Sequence, residues 1–109
     1  MDLYISGPMT GYPEFNKPAF EEAAESALKD GRFDVVVNPT ADRPRGRQWV
    51  DYMKADLKEL LDCNAIAMLK GSKKSKGARL EFKIAEELGF EIFVFSEGVF
   101  KTVPYPGEF

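Results

Sequence analysis

Short apolar runs and longer amphipathic stretches alternate along the chain. The first run predicts a strand over residues 2–6, closed by Gly7-Pro8, and a loop rich in Gly and Pro follows as far as Pro13. Phe20, Ala23, Ala24, Ala27 and Leu28 then recur at three- and four-residue spacing, the period of a helix with one inward face. Asn16 is placed to cap that helix, Pro18 fits its first turn, and Gly31 stops it after Asp30. The β-branched run at 33–37 predicts a second strand. Asn38-Pro39 opens a polar loop through Gly46. A second helix is expected over 48–61, with Trp49, Val50, Met53, Leu57, Leu60 and Leu61 as its apolar stripe. A third strand (65–69), a basic loop from Gly71, a third helix (75–89) and a fourth strand (91–95) complete the pattern. Residues 96–109, with Pro104, Tyr105 and Pro106, read as an irregular tail.

Strands alternating with helices imply parallel pairing, because a crossover helix returns the chain to the end of the sheet where the previous strand began. The expected fold class is therefore α/β: one doubly wound, flavodoxin- or Rossmann-like domain over 1–95, with a parallel sheet of four to five strands and flanking helices. Ligands of such sheets bind outside the carboxyl ends of the strands. Three segments fall there: Ser6-Gly7-Pro8-Met9-Thr10-Gly11, the loop at Asn38, and Gly71 to Gly77.

The third helix holds an anomaly. At ~100° per residue, Arg79, Lys83, Glu86 and Glu87 share one polar arc. Glu81 projects roughly opposite, among Gly77, Ala78, Ile84, Ala85 and Leu88. An ionised group resists burial unless it is paired or hydrogen-bonded. Glu81 therefore either bends out to solvent at the sheet rim or is held inside for a chemical purpose. Asp56 repeats the anomaly more weakly, at the border of the second helix's apolar stripe, where a plain helix-flank carboxylate is the alternative. The loop Gly71-Ser72-Lys73-Lys74-Ser75-Lys76-Gly77 ends at a helix start, where unpaired N–H groups favour an anion. A solvated lysine-rich turn with Ser75 as a simple cap would look the same. Tyr4, Trp49 and Cys63 fit core packing on pattern alone.

Composition narrows the chemistry. The 109 residues suffice for one domain, and a formal net charge of −3 gives no strong field toward nucleic acid or membrane. One cysteine and no histidine exclude an internal disulfide, a Cys/His zinc site and a histidine-based triad. Acid–base work falls to carboxylates, Tyr, Lys or the lone thiol. No apolar run approaches the ~20 residues of a membrane span, and the first residues lack signal-peptide character. The expected location is cytoplasmic.

Tyr4-Ile5-Ser6-Gly7-Pro8-Met9-Thr10-Gly11, Asp56-Leu57 and Ser75-x-Gly77-x-x-x-Glu81 together resemble the nucleoside 2-deoxyribosyltransferase-like superfamily. The resemblance spans about residues 2–95. It is strongest to the branch acting on nucleoside 5′-monophosphates, the nucleotide N-glycosidases, and to small phage and bacterial members without an assigned function. It implies Glu81 as nucleophile, Asp56 as a nucleoside contact that helps the base leave, and Tyr4 beside the nucleophile. Ser6, Gly7, Pro8, Met9, Gly11, Asn38, Ser75 and Gly77 become expected phosphate or substrate contacts. Free-nucleoside transferases of that superfamily carry an aspartate six positions before the nucleophile, whereas the nucleotide-hydrolysing branch carries a serine, as here with Ser75. Met9-Thr10 stand where those hydrolases often carry an arginine. The implied activity is cleavage of the N-glycosidic bond of a (deoxy)nucleoside 5′-monophosphate, with a binding module or a deoxyribosyltransferase as alternatives. No metal or organic cofactor is expected. The expected partner is a small nucleotide or nucleoside, not a nucleic acid polymer or a membrane, with a homodimer or higher homo-oligomer as the assembly.

Overall fold

The computed structural model describes residues 1–102. Five strands and three α-helices follow one another as β1 (Asp2–Ser6), α1 (Lys17–Asp30), β2 (Val35–Val37), α2 (Trp49–Leu61), β3 (Ala65–Met68), α3 (Lys76–Glu87), β4 (Glu91–Ser96) and β5 (Val99–Thr102). The strands form one sheet in the order β2-β1-β3-β4-β5. β1 pairs in parallel with β2 and β3, and β3 in parallel with β4, while β5 returns antiparallel to β4. This is the expected doubly wound α/β fold.

The two-residue period of β1 decides which side chains meet which helix. Leu3 and Ile5 join Phe20, Ala23 and Ala27 of α1, with Phe93, Phe95 and Phe100, in one core layer. Tyr4 joins Ile66, Met68, Leu60 of α2, and Ala78 and Ala85 of α3 in the other. Ser6 shares the parity of Tyr4. Tyr4 and Ser6 therefore both face the α2–α3 layer and are fully buried there.

Chain direction opens the crevice. From β1 the chain moves to β2 on one side, then crosses to β3 on the other. The connections diverge at the carboxyl ends of β1 and β3, where an open α/β sheet binds its ligands. Gly7 lets those ends approach closely: a Cβ there would lie 2.9 Å from Leu69 Cβ.

Several local expectations are corrected. The tail is not irregular from Ser96: Glu97 and Gly98, both at positive φ, form a two-residue turn into β5. Such turns match the twist of paired strands, and Phe100 is drawn into the core beside Phe33, Phe93 and Phe95. Pro104, Tyr105 and Pro106 lie outside the described residues. The second strand begins at Val35, because Phe33 turns inward to pack edge-on against Phe93 and Phe100. Asn16 precedes α1 without a side-chain cap and instead donates from Nδ2 to the Pro8 carbonyl, 3.1 Å away, tying down the first loop. The inward stripe of α2 is narrower than its apolar residues suggest: Met53, Asp56 and Leu60 are buried, while Val50 and Leu61 are exposed. Asp56 thus lies within the seam and not at its border. Leu28 of α1 is exposed as well.

Candidate active site

Glu81 is held inside. The residue is 3% exposed, and both carboxylate oxygens are engaged by β1. Tyr4 Oη donates to Oε2 at 2.8 Å and Ser6 Oγ donates to Oε1 at 2.7 Å. Two residues two apart on a strand reach one carboxylate because both face the helix layer. Burial pushes the Glu81 carboxyl up to about 7, against the pull of the two hydroxyl donors. The negative charge of Asp56 adds to the rise and Arg43 opposes it. Glu81 therefore changes charge near neutrality, the range in which one carboxylate serves as nucleophile, base or acid. Burial, and then the charge of Glu81, push Tyr4 well above the ordinary tyrosine range, which keeps its hydroxyl a donor.

Asp56 is held by a partner that the sequence reading missed. Arg43 Nη1 donates to Asp56 Oδ1 at 2.8 Å, with side-chain exposures of 9% and 5%. The same nitrogen reaches the Pro39 carbonyl at 3.3 Å. The guanidinium lies 4.3 Å from the centre of the Tyr52 ring and 5.3 Å from that of Phe15. Burial raises the Asp56 carboxyl, and the bond and charge of Arg43 pull it back. Arg43 Nε is buried with no hydrogen-bond partner among the described residues.

Both carboxylates border a cavity of about 440 Å³. Gly7, Met9 and Gly11 of the first loop line one side, and Ser75, Gly77 and Ala78 of the α3 start another. Tyr12, Phe15, Trp49, Tyr52 and Met53 supply aromatic and apolar wall, while Arg43 and Arg47 supply positive charge. Ser75 caps α3: its Oγ accepts from Ala78 N–H at 3.2 Å, which leaves the hydroxyl proton to donate outward. Gly77 permits the contact of α3 with α2, since a Cβ would lie 3.1 Å from Met53 Sδ. Phe15 is placed by a left-handed run in which Glu14, Phe15 and Asn16 have φ of 51°, 59° and 64°. That conformation is unfavourable for a bulky side chain, and such strain persists where the surroundings enforce it.

The expected site residues separate into groups. Glu81, Asp56, Gly7, Met9, Gly11, Ser75 and Gly77 border the one cavity. Tyr4 and Ser6 stand behind Glu81 and reach the cavity only through it. Pro8 is buried, with its carbonyl turned to Asn16. Asn38 closes its own turn, its Oδ1 accepting from Thr40 N–H and Thr40 Oγ1, and is not part of the cavity wall.

The family described as Domain of unknown function (DUF4406) matches residues 1–94. The chain belongs to that family. Comparison with curated proteins and with solved structures gave no match. The matched span of this DUF4406 domain covers every cavity residue named above, from Gly7 to Glu81, and stops within β4. Among its described residues no cluster of His, Cys, Asp and Glu is arranged to hold a metal ion, and no helix is long and apolar enough to cross a membrane. Cys63 is a buried thiol that burial pushes up to about 11, so it is protonated and inert at neutral pH.

Proposed function

We propose that this chain cleaves the N-glycosidic bond of a (deoxy)nucleoside 5′-monophosphate, with Glu81 as nucleophile, and releases the free base. The observation that carries the reading is the Glu81 carboxylate, buried at a cavity wall and oriented at both oxygens by Tyr4 and Ser6. Two orienting hydrogen bonds leave each carboxylate oxygen a further lone pair, and fixed orientation is what a nucleophile at a sugar carbon requires.

The remaining walls suit the other parts of the substrate. The start of α3 offers the Ser75 hydroxyl and first-turn N–H groups to a dianionic phosphate. Glu81 lies six residues further along α3, about 9 Å at the helical rise, a spacing that accommodates a pentose between phosphate and nucleophile. The aromatic wall provides flat faces for a base. Glu81 attacks the anomeric carbon as the C–N bond breaks, and the electron pair of that bond leaves with the base. Asp56 contacts the nucleoside on the base side. Water then adds its oxygen to the anomeric carbon, Glu81 departs as carboxylate, and a proton from that water ends on the base. Two displacements at one carbon give retention. We assign the reaction to the cytoplasm, where such nucleotides reside, and to a homodimer or higher homo-oligomer, as the resemblance implies.

The test is incubation of the purified chain with a panel of ribo- and deoxyribonucleoside monophosphates and the matching free nucleosides, read by chromatography. Free base from at least one monophosphate, with far less from its nucleoside, is the expected result. A nucleotide-dependent rise in melting temperature without free base makes the chain a binding module. Product only after addition of an acceptor base makes it a transferase.

A further inference from the structure

We infer that Arg43 is a catalytic residue that receives the departing base: its unbonded Nη2 donates to the base, and the guanidinium charge stabilises the negative charge that develops there as the glycosidic bond breaks. The inference rests on the nucleotide-cleaving reading above and adds to it the means by which the leaving group is stabilised.

Several observations converge on this side chain. Arg43 is nine-tenths buried, borders the same cavity as Glu81, and uses only Nη1 in hydrogen bonds among the described residues. Its Nε is the single buried side-chain nitrogen or oxygen among them without a partner. A donor left buried and unpaired is unfavourable, which fits placement for function over placement for stability; Nη2 also lacks a partner among the described residues but is not among the fully buried atoms, so it is the nitrogen open to a ligand. The guanidinium is flanked by the rings of Tyr52 and Phe15 and bonded through Nη1 to Asp56. A largely buried guanidinium held by an ion pair and two rings is preorganised for a charge that appears only during reaction.

The alternative source of help is Asp56, and Arg43 argues against it. A carboxylate bonded to a guanidinium at 2.8 Å is favoured in its ionised form, which accepts hydrogen bonds but has no proton to give the base. When the C–N bond breaks, the base takes the electron pair and one negative charge spreads over its ring atoms. Arginine stays protonated throughout, so it stabilises that anion without transferring a proton. The base acquires its proton later, from water. Asp56 then has two duties that its geometry allows: it holds Arg43 in plane and keeps its second oxygen for a donor on the base.

The experiment compares leaving groups. Arg43→Gln and the wild type are assayed on a nucleoside monophosphate that the wild type cleaves, whose base leaves as an anion. Both are then assayed on nicotinamide mononucleotide and N7-methylguanosine monophosphate, whose cationic bases leave neutral. The expected loss of kcat/KM in Arg43→Gln is about 10²-fold on the first substrate. On the cationic substrates the loss is far smaller, or reversed, because the variant no longer repels their charge. The ratio is taken on one preparation, so it does not depend on the fraction folded. Arg43→Lys, which keeps an ion pair with Asp56 but loses the planar fork, shifts the ratio in the same direction by less. Equal losses on all substrates, or cleavage of neither cationic substrate by either protein, overturn the role of Arg43 while base release by the wild type upholds the nucleotide reading. Equal losses residing in KM alone would make Arg43 a phosphate anchor. No base release from any nucleotide by the wild type removes the reading and the inference together.

Discussion

Glu81 carries two opposite pH dependences, and both follow from its burial. Its folded-state value near 7 lies above the ordinary 4.5, so the folded chain holds this proton more tightly than the unfolded chain does. That contribution to stability is complete below pH 4.5 and is lost as pH rises to about 7, leaving a cost of about 3 kcal/mol for the ionised form. The cost is roughly what one or two buried phenylalanines contribute, so Phe20 and Phe93 alone offset it. Urea denaturation at pH 5 and pH 8 will show Glu81→Gln gaining on the wild type by that order at the higher pH. A constant difference would contradict the buried charge. The proposed cleavage will run the other way: kcat/KM will rise with pH through a midpoint near 7, as Glu81 ionises, and a flat profile between pH 5 and 8 would argue against Glu81 as the attacking group. Asp56 yields a different prediction, since its removal leaves the Arg43 charge buried and unpaired. Asp56→Ala will lower stability by about 3–5 kcal/mol, measured by denaturation at pH 7. Glu81 and Asp56 were legible because a helix imposes a period, and a carboxylate out of phase with that period stands out. Arg43 was not, because a loop has no period to violate. The available hint was weaker: Arg43, Arg45 and Arg47 crowd one short loop after a strand's carboxyl end.

At the scale of elements, regular segments were read well and their junctions poorly. Ser75 caps α3 as its residue type suggests, and Gly31 ends α1 at φ 90°. Asn16 has an equally good capping type, yet the left-handed run before α1 turns its side chain to the first loop. β5 escaped because Glu97-Gly98 is a weaker turn signal than Asn-Gly. With Glu97 at φ 51°, Glu97→Asn will raise the melting temperature, by up to about 1 kcal/mol in stability, because asparagine tolerates that conformation. No change or a loss would argue against the two-residue turn. Gly7→Ala tests the close approach of β1 and β3. A methyl group 2.9 Å from Leu69 Cβ forces the two strand ends apart, for a loss of about 1–3 kcal/mol by denaturation, together with weaker nucleotide binding. A neutral effect on both would mean that those ends need not meet so closely.

For the molecule as a whole, strand order decides where chemistry can sit. The order β2-β1-β3-β4-β5 puts the divergence of connections between β1 and β3, and that alone brings Tyr4, Ser6, the first loop and the start of α3 to one place. The alternation of strands and helices predicted the layers, and the carboxyl-end rule predicted the crevice. The aromatic wall was not foreseen, because Phe15, Trp49 and Tyr52 come from different segments and meet only in three dimensions. The central claim is that one buried carboxylate performs displacement at a sugar carbon. Its most direct test is base release from the best monophosphate by wild type and Glu81→Gln side by side, with nucleotide binding measured by calorimetry on the same samples. Base is expected from the wild type and none from the variant, with binding within about tenfold in both. Equal base release by the two proteins would contradict that claim.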